Sequence, residues 1–184
     1  MSETALIVID VQQSFPHRPY WDAADLPRYL ERQQALIDGA EAAGMPVIQI
    51  FHVEDQGPFS KESGHVRTLD GIRISPTRIF EKRRHSALVG TGLDVWLTQN
   101  GIRHVIISGI RTEQCCETTT RHASDLGFAV DYVSEATLTF PMVDALGVTR
   151  SPEEIRRHTE MVLKDRFARI ATVEDALDTA RRAA

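Results

Sequence analysis

The feature that most restricts this chain is a set of short apolar runs that do not alternate. Ala5-Leu6-Ile7-Val8-Ile9 is the first and Pro46-Val47-Ile48-Gln49-Ile50-Phe51 the second. Val105-Ile106-Ile107-Ser108-Gly109 and Phe128-Ala129-Val130-Asp131-Tyr132-Val133 follow, with weaker candidates at Thr77-Arg78-Ile79-Phe80 and Phe167-Ala168-Arg169-Ile170-Ala171. A strand with one wet face alternates apolar and polar residues. A strand that is apolar throughout must be covered on both faces, as in a parallel sheet between helices.

Between these runs lie segments with helical punctuation. Residues 26–43 end at Gly44-Met45-Pro46, residues 88–100 at Gly101 and residues 112–126 at Gly127, and Gly or Pro at such places stops a helix. Ser151-Pro152-Glu153-Glu154 reads as a helix start, with Ser as cap and Pro in the first position. Residues 172–182 form a last helical segment. Alternating strands and helices predict a three-layer α/β/α fold with a doubly wound, mainly parallel sheet. The length of 184 residues suits one domain, 1–184. Two longer irregular stretches, 53–76 and 136–150, are expected to be pocket walls, since long loops in compact domains are often functional.

Composition narrows the partners. Hydrophobic residues make up 42% and charged residues 26%, ordinary values for a soluble globular protein. No apolar run approaches the ~18 residues of a membrane span, and Met1-Ser2-Glu3-Thr4 lacks the basic segment of a signal peptide, so a cytoplasmic protein is expected. The formal charge is −5, whereas nucleic-acid binders carry a basic face. The densest basic run, Lys82-Arg83-Arg84-His85, is too short to drive such binding. A small-molecule substrate is the expected partner. The two cysteines, Cys115 and Cys116, are adjacent, which excludes a disulfide framework. Neighbouring Cα atoms lie about 3.8 Å apart, short of the roughly 4.4 Å that a disulfide usually spans. After the first run stands Asp10-Val11-Gln12-Gln13-Ser14-Phe15, where a dinucleotide-binding fold would carry Gly-x-Gly-x-x-Gly.

In open α/β sheets ligands bind beyond the carboxyl ends of the strands. Three chemically complementary residues fall at such ends: Asp10, Lys82 and Cys115. With Thr112 as N-cap, Cys115 is the third residue of a helix. There the dipole and free N–H groups favour thiolate, lower its pKa and can receive an oxyanion. A buried core cysteine is equally compatible with that position. Cys116 falls in line with Thr120, Ala123 and Gly127, a face suited to packing on the sheet. Asp10 is either a structural aspartate bonded to loop amides or an acid/base group. Lys82 draws its meaning from the other two. His52 follows a strand and is expected to face the cleft. His52-x2-Asp55-x9-His65 matches no compact ligand spacing, so no metal site is expected. His17, His104 and His158 read as loop or solvated positions.

Taken together, three segments resemble the isochorismatase-like cysteine hydrolases, a superfamily that includes nicotinamidases, N-carbamoylsarcosine amidohydrolases and ureidoacrylate amidohydrolases. They are Ala5 to Phe15 with its strand, Asp10-Val11-Gln12 and aromatic; Lys82 followed by Ser86-Ala87 and Gly90-Thr91-Gly92-Leu93; and Gly109-Ile110-Arg111-Thr112-Glu113-Gln114-Cys115-Cys116-Glu117-Thr118-Thr119. The resemblance implies an Asp10-Lys82-Cys115 catalytic triad and a cis peptide at Ile110-Arg111. It makes the backbone N–H groups of Arg111 and Cys115 the oxyanion donors and puts Phe15 and Gln114 at the substrate, beside which His52 is expected from its own place after a strand. It also implies a homo-oligomer. Phe51-His52-Val53-Glu54-Asp55-Gln56-Gly57 lacks the Asp-x-His-x-x-x-His metal pattern of nicotinamidases, so neither metal nor cofactor is expected. Arg111 stands where many relatives have a small residue. Two roles are open to it, an outward salt bridge or selection of an acidic substrate. The resemblance and Cys115 point to hydrolysis of a small amide, ureide or related C–N bond. The alternatives are a redox sensor using the cysteine pair and a catalytically silent binding module on the same fold.

Overall fold

The computed structural model describes residues 2–182. Six strands form one sheet in which every pairing is parallel. They are β1 (Thr4–Ile9), β2 (Val47–His52), β3 (Arg78–Lys82), β4 (His104–Ile110), β5 (Ala129–Leu138) and, after a small antiparallel hairpin of β6 (Met142–Val143) and β7 (Thr149–Arg150), β8 (Arg169–Ile170). Their order across the sheet is β3-β2-β1-β4-β5-β8. Helices α1 (Leu26–Ala42) and α5 (Val173–Arg182) cover one face; α2 (Leu93–Gln99), α3 (Glu117–Asp125) and α4 (Pro152–Leu163) cover the other. This is the three-layer, doubly wound arrangement expected from the unbroken apolar runs. Among the described residues, no helix is long and apolar enough to cross a membrane.

All six residues of β1 are buried. Leu6 and Val8 pack with Leu36, Ile37 and Leu177 on one side of the sheet; Ala5, Ile7 and Ile9 pack with Leu93 and Leu97 on the other. Each such large side chain contributes about 1.5–3 kcal/mol of burial, which is why this strand needs no alternation. The strand order reverses between β1 and β4, and a crevice opens there at their carboxyl ends. Gly109 permits the approach. Its φ is +126°, and a Cβ at that position would lie 2.0 Å from the Ile9 carbonyl oxygen.

Four expectations about elements are corrected. The helix expected over 88–100 begins only at Leu93, because Gly90 and Gly92 take positive φ (70° and 76°) and cannot continue a right-handed helix. The helix expected over 112–126 opens with a π-helical turn, Thr112–Cys116, before α3. Thr112 is not its cap. The flanking extended residue is Arg111, and the Thr112 hydroxyl is paired with Thr137 Oγ1 at 2.8 Å. The stretch 136–150 is shorter than a 15-residue loop, since β5 runs to Leu138 and the hairpin occupies much of the rest. The connection over 53–77 holds only short 3-10 turns, at Gly57–Phe59 and Lys61–Ser63. It is pinned to the segment after β1 by Gln13 N–H to Arg67 O (2.9 Å) and Leu69 N–H to Val11 O (3.0 Å). The start of α4 is as expected: Ser151 and Glu154 form a reciprocal capping box, with Pro152 in the first turn.

Candidate active site

Four neighbouring strands converge on one point. Asp10 follows β1, His52 ends β2, Lys82 ends β3 and Cys115 lies in the π-helical turn after β4. The β2–β3 register sets His52 opposite Lys82. Lys82, solvated had it lain beyond the strand, is buried together with Asp10. Its Nζ lies 2.7 Å from Asp10 Oδ2, 3.3 Å from Cys115 Sγ and 3.2 Å from His52 Nδ1. An ammonium has three N–H donors and no lone pair, so these three contacts exhaust it.

Asp10 is held in a left-handed backbone conformation, φ 52°, uncommon for a residue with a side chain. Its N–H is bonded to Ile50 O at 3.0 Å and its carbonyl accepts from Gln12 N–H at 2.8 Å. Apart from the Lys82 ion pair at Oδ2, neither carboxylate oxygen has a directed hydrogen-bond partner among the described residues. Burial therefore pushes the Asp10 pKa above the usual carboxylate range, and Lys82 offsets only part of the rise. Burial alone would lower the Lys82 pKa, but Asp10 and Cys115 outweigh it and hold it above the usual lysine value.

The expectation that helix position lowers the Cys115 pKa is overturned. Burial, followed by the charge of Asp10, drives the thiol well up, and Lys82 offsets only part of this. The turn itself differs from the helix start assumed: Cys116 N–H bonds back to Arg111 O at 3.1 Å, and the Cys115 N–H precedes that first π-type bond. Cys116 is fully buried among Ala123, Tyr132 and other apolar residues of the sheet-facing layer, with Thr120 and Ala123 buried as the helical phase required. Gly127 is exposed and lies off that face. The Ile110-Arg111 peptide is cis.

A cavity of about 440 Å³ opens over Asp10 and Cys115. Phe15, His52 and Gln114, singled out from the sequence, all line it. Phe15 stands edge-on to Phe59, ring centroids 5.0 Å apart. Of the two loops expected as walls, the first contributes Glu54 and Phe59. The second contributes no lining residue here. Its hairpin borders a separate groove with Glu113, Ile155 and His158. A larger hollow of about 560 Å³ outside β3 touches Lys82 and shares Arg83 and Arg84 with the cavity, but Asp10 and Cys115 do not border it.

The sequence reasoning missed the basic rim, although Arg83, Arg84 and His85 directly follow Lys82 and so must sit above the strand end. Arg83 is paired with Asp55 at 2.5 Å. Arg84 has no acidic partner among the described residues; it donates to Arg83 O at 3.1 Å. Arg18 lies between Glu54 (3.9 Å) and the Phe59 ring (5.2 Å from its centroid). Of the two roles open to it, Arg111 takes the salt bridge, though a buried rather than an outward one. It is buried and paired inward with Glu113 at 2.9 Å, and it lies over the Tyr20 and Phe140 rings. His104 is also no solvated residue: it opens β4 half-buried, Nε2 3.3 Å from Asp131 Oδ2. His17 is exposed and stacks on His65. Among the described residues, no three His, Cys, Asp or Glu side chains gather to hold a metal ion.

Residues 4–175 match the model of the isochorismatase domain. The chain belongs to the isochorismatase family. An uncharacterized isochorismatase family protein of Bacillus subtilis, YrdC, is 30% identical over 95% of this chain and 94% of its own length. Nicotinamidase 3 of Arabidopsis thaliana is 30% identical over 74% of this chain and 73% of its own. Among solved structures, an isochorismatase-family protein from Chromobacterium violaceum superposes with a TM-score of 0.89 at 27% identity, covering 98% of this chain and 95% of that one.

Proposed function

We propose that this isochorismatase-family chain is a cysteine amidohydrolase that cleaves a small amide, ureide or related C–N bond through Cys115, Asp10 and Lys82. The observation that carries the reading is one buried ammonium within 2.7 Å of a carboxylate and 3.3 Å of a thiol, at the floor of a cavity. Similarity to a protein named as a nicotinamidase supports the bond type.

The raised thiol pKa fits this assignment. With Asp10 ionised, Lys82 protonated and Cys115 neutral, the trio carries no net charge. Passing the thiol proton to Asp10 as Sγ attacks leaves that sum unchanged, so a poorly solvated site tolerates it. Loss of the same proton to solvent would leave an uncompensated buried charge, which is costly. A poorly hydrogen-bonded Asp10 with a raised pKa is a stronger base than a solvated carboxylate. In the reaction, Sγ bonds to the carbonyl carbon while the N–H groups of Arg111 and Cys115 receive the oxyanion. Asp10 gives the proton to the leaving nitrogen as the C–N bond breaks. It then takes a proton from the water that attacks the thioester and returns it to Cys115 Sγ as the C–S bond breaks. Arg84, without an acidic partner among the described residues, suits a substrate with a negative group. The exposed Val143 and Leu146 of the hairpin support assembly as a homo-oligomer.

The test is release of ammonia or amine from a panel of small amides and ureides. Cys115→Ala should abolish turnover, and Asp10→Asn should reduce it at least 100-fold, the scale of a lost general base. Near wild-type turnover by either folded variant would overturn the assignment.

A further inference from the structure

We infer that His52 is a positioning residue that holds the Lys82 ammonium between Asp10 and Cys115. This rests on the triad reading above. Three observations carry it. First, His52 Nδ1 is the third partner of Lys82 Nζ, at 3.2 Å. Since the ammonium only donates, Nδ1 must be the lone-pair nitrogen and Nε2 carries the hydrogen. Nε2 faces Glu54 Oε1 at 3.5 Å, as that tautomer requires.

Second, the imidazole is fixed from both sides. Gln12, fully buried, grips the His52 backbone twice: its Oε1 accepts the His52 N–H at 2.8 Å, and its Nε2 donates to the His52 carbonyl at 3.1 Å. The same Nε2 donates to Ser14 Oγ at 2.8 Å, which orients the amide. The Phe59 ring stands edge-on to the imidazole, centroids 5.6 Å apart. The Gln12 of the strand-end segment thus acts two strands away, through the end of β2.

Third, His52 stays neutral where an enzyme works. The charged and titratable groups around it are Lys82 from β3, Arg83 and His85 beyond β3, Arg18 from the segment after β1, and Glu54 beyond β2. Burial, then the surrounding cations, lower its pKa to about 4. A neutral acceptor anchors the ammonium without competing for its charge. A second carboxylate in its place would add a buried negative charge beside Asp10, and an apolar side chain would leave one N–H of Lys82 unpaired.

Geometry errors of about 1 Å near reacting groups cost up to about 100-fold in rate. His52→Leu should lower kcat about 10- to 100-fold with KM changed less than about threefold. It should also slow iodoacetamide alkylation of Cys115 about tenfold at pH 7, and the pH profile of alkylation should move to higher pH as the thiolate loses its nearby cation. His52→Asn offers a carbonyl oxygen where Nδ1 stood and should restore both readouts to within about threefold of wild type. Unchanged kcat and alkylation in His52→Leu, or equal losses in His52→Leu and His52→Asn, would overturn the positioning role. Turnover that survives Cys115→Ala would instead sink the triad reading itself, whatever His52 does.

Discussion

Replacing Lys82 by Met keeps most of the buried stem and deletes the charge that Asp10 faces. At 2.7 Å and an effective dielectric of about 20, the attraction removed is about 6 kcal/mol. Desolvation of the two charges offsets part of it in the wild type. Stranding the buried carboxylate is therefore expected to cost about 3–5 kcal/mol, a large share of the roughly 5–15 kcal/mol that holds a domain together. The cost must depend on pH. Asp10 already has a raised pKa, and without Lys82 it rises further. A raised folded-state pKa gives stability that is complete below the unfolded value, about 3.9, and is lost as pH climbs through the folded value. Urea unfolding followed by circular dichroism should therefore show Lys82→Met losing stability steadily from about pH 4 upward. Its gap to wild type should narrow as pH falls toward 4, since protonating Asp10 removes the counter-charge of the wild-type Lys82. Asp10→Asn in the same chain should remove that pH dependence and recover much of the loss. A pH-independent penalty, or an identical penalty in the Asp10→Asn background, would show that the two groups do not form a buried pair.

Iodoacetamide should label Cys115 well before Cys116, because Cys115 borders the cavity while Cys116 is fully enclosed; equal labelling by peptide mass spectrometry would mean that the turn after β4 is misplaced. Gly109→Ala should destabilise by about 3 kcal/mol, since the added methyl would meet the Ile9 carbonyl at 2.0 Å with φ at +126°. A urea midpoint within error of wild type would refute that close approach.

What the sequence disclosed divides along a physical line. The strands of the sheet were legible because burial on both faces leaves runs such as Ala5-Leu6-Ile7-Val8-Ile9 with no polar interruption. Asp10 stood out because a charge at the end of such a run is costly unless paired, although the run alone leaves a structural and an acid/base role open. Lys82 was harder: it sits in a basic run that looks solvated, and only the pairing of β3 with β2 turns it inward while Arg83 and Arg84 stay exposed. The direction of the Cys115 pKa was misjudged because helix position is a local property and burial is not. The acceptors of Lys82 lie 72, 30 and 33 residues from it in sequence, so no local pattern announces them. The capping role given to Thr112 failed for a similar reason, since its partner, Thr137, belongs to the neighbouring strand.

The pairing that puts His52 opposite Lys82 has a further meaning. β3 is one of the two edge strands of the sheet, held on one side alone, and its residues before Lys82 are exposed or only partly covered. Sliding it by a single position would disturb little of the apolar core, but it would take Lys82 away from the buried Asp10 carboxylate. The same slip would present Glu81 or Arg83 at the junction in place of Lys82, and side chains of alternate residues leave opposite faces of a strand. The proposed chemistry thus depends on the alignment of an edge strand. An insertion or deletion within that edge would break the buried Asp10–Lys82 pair while leaving the two apolar layers of the core in place.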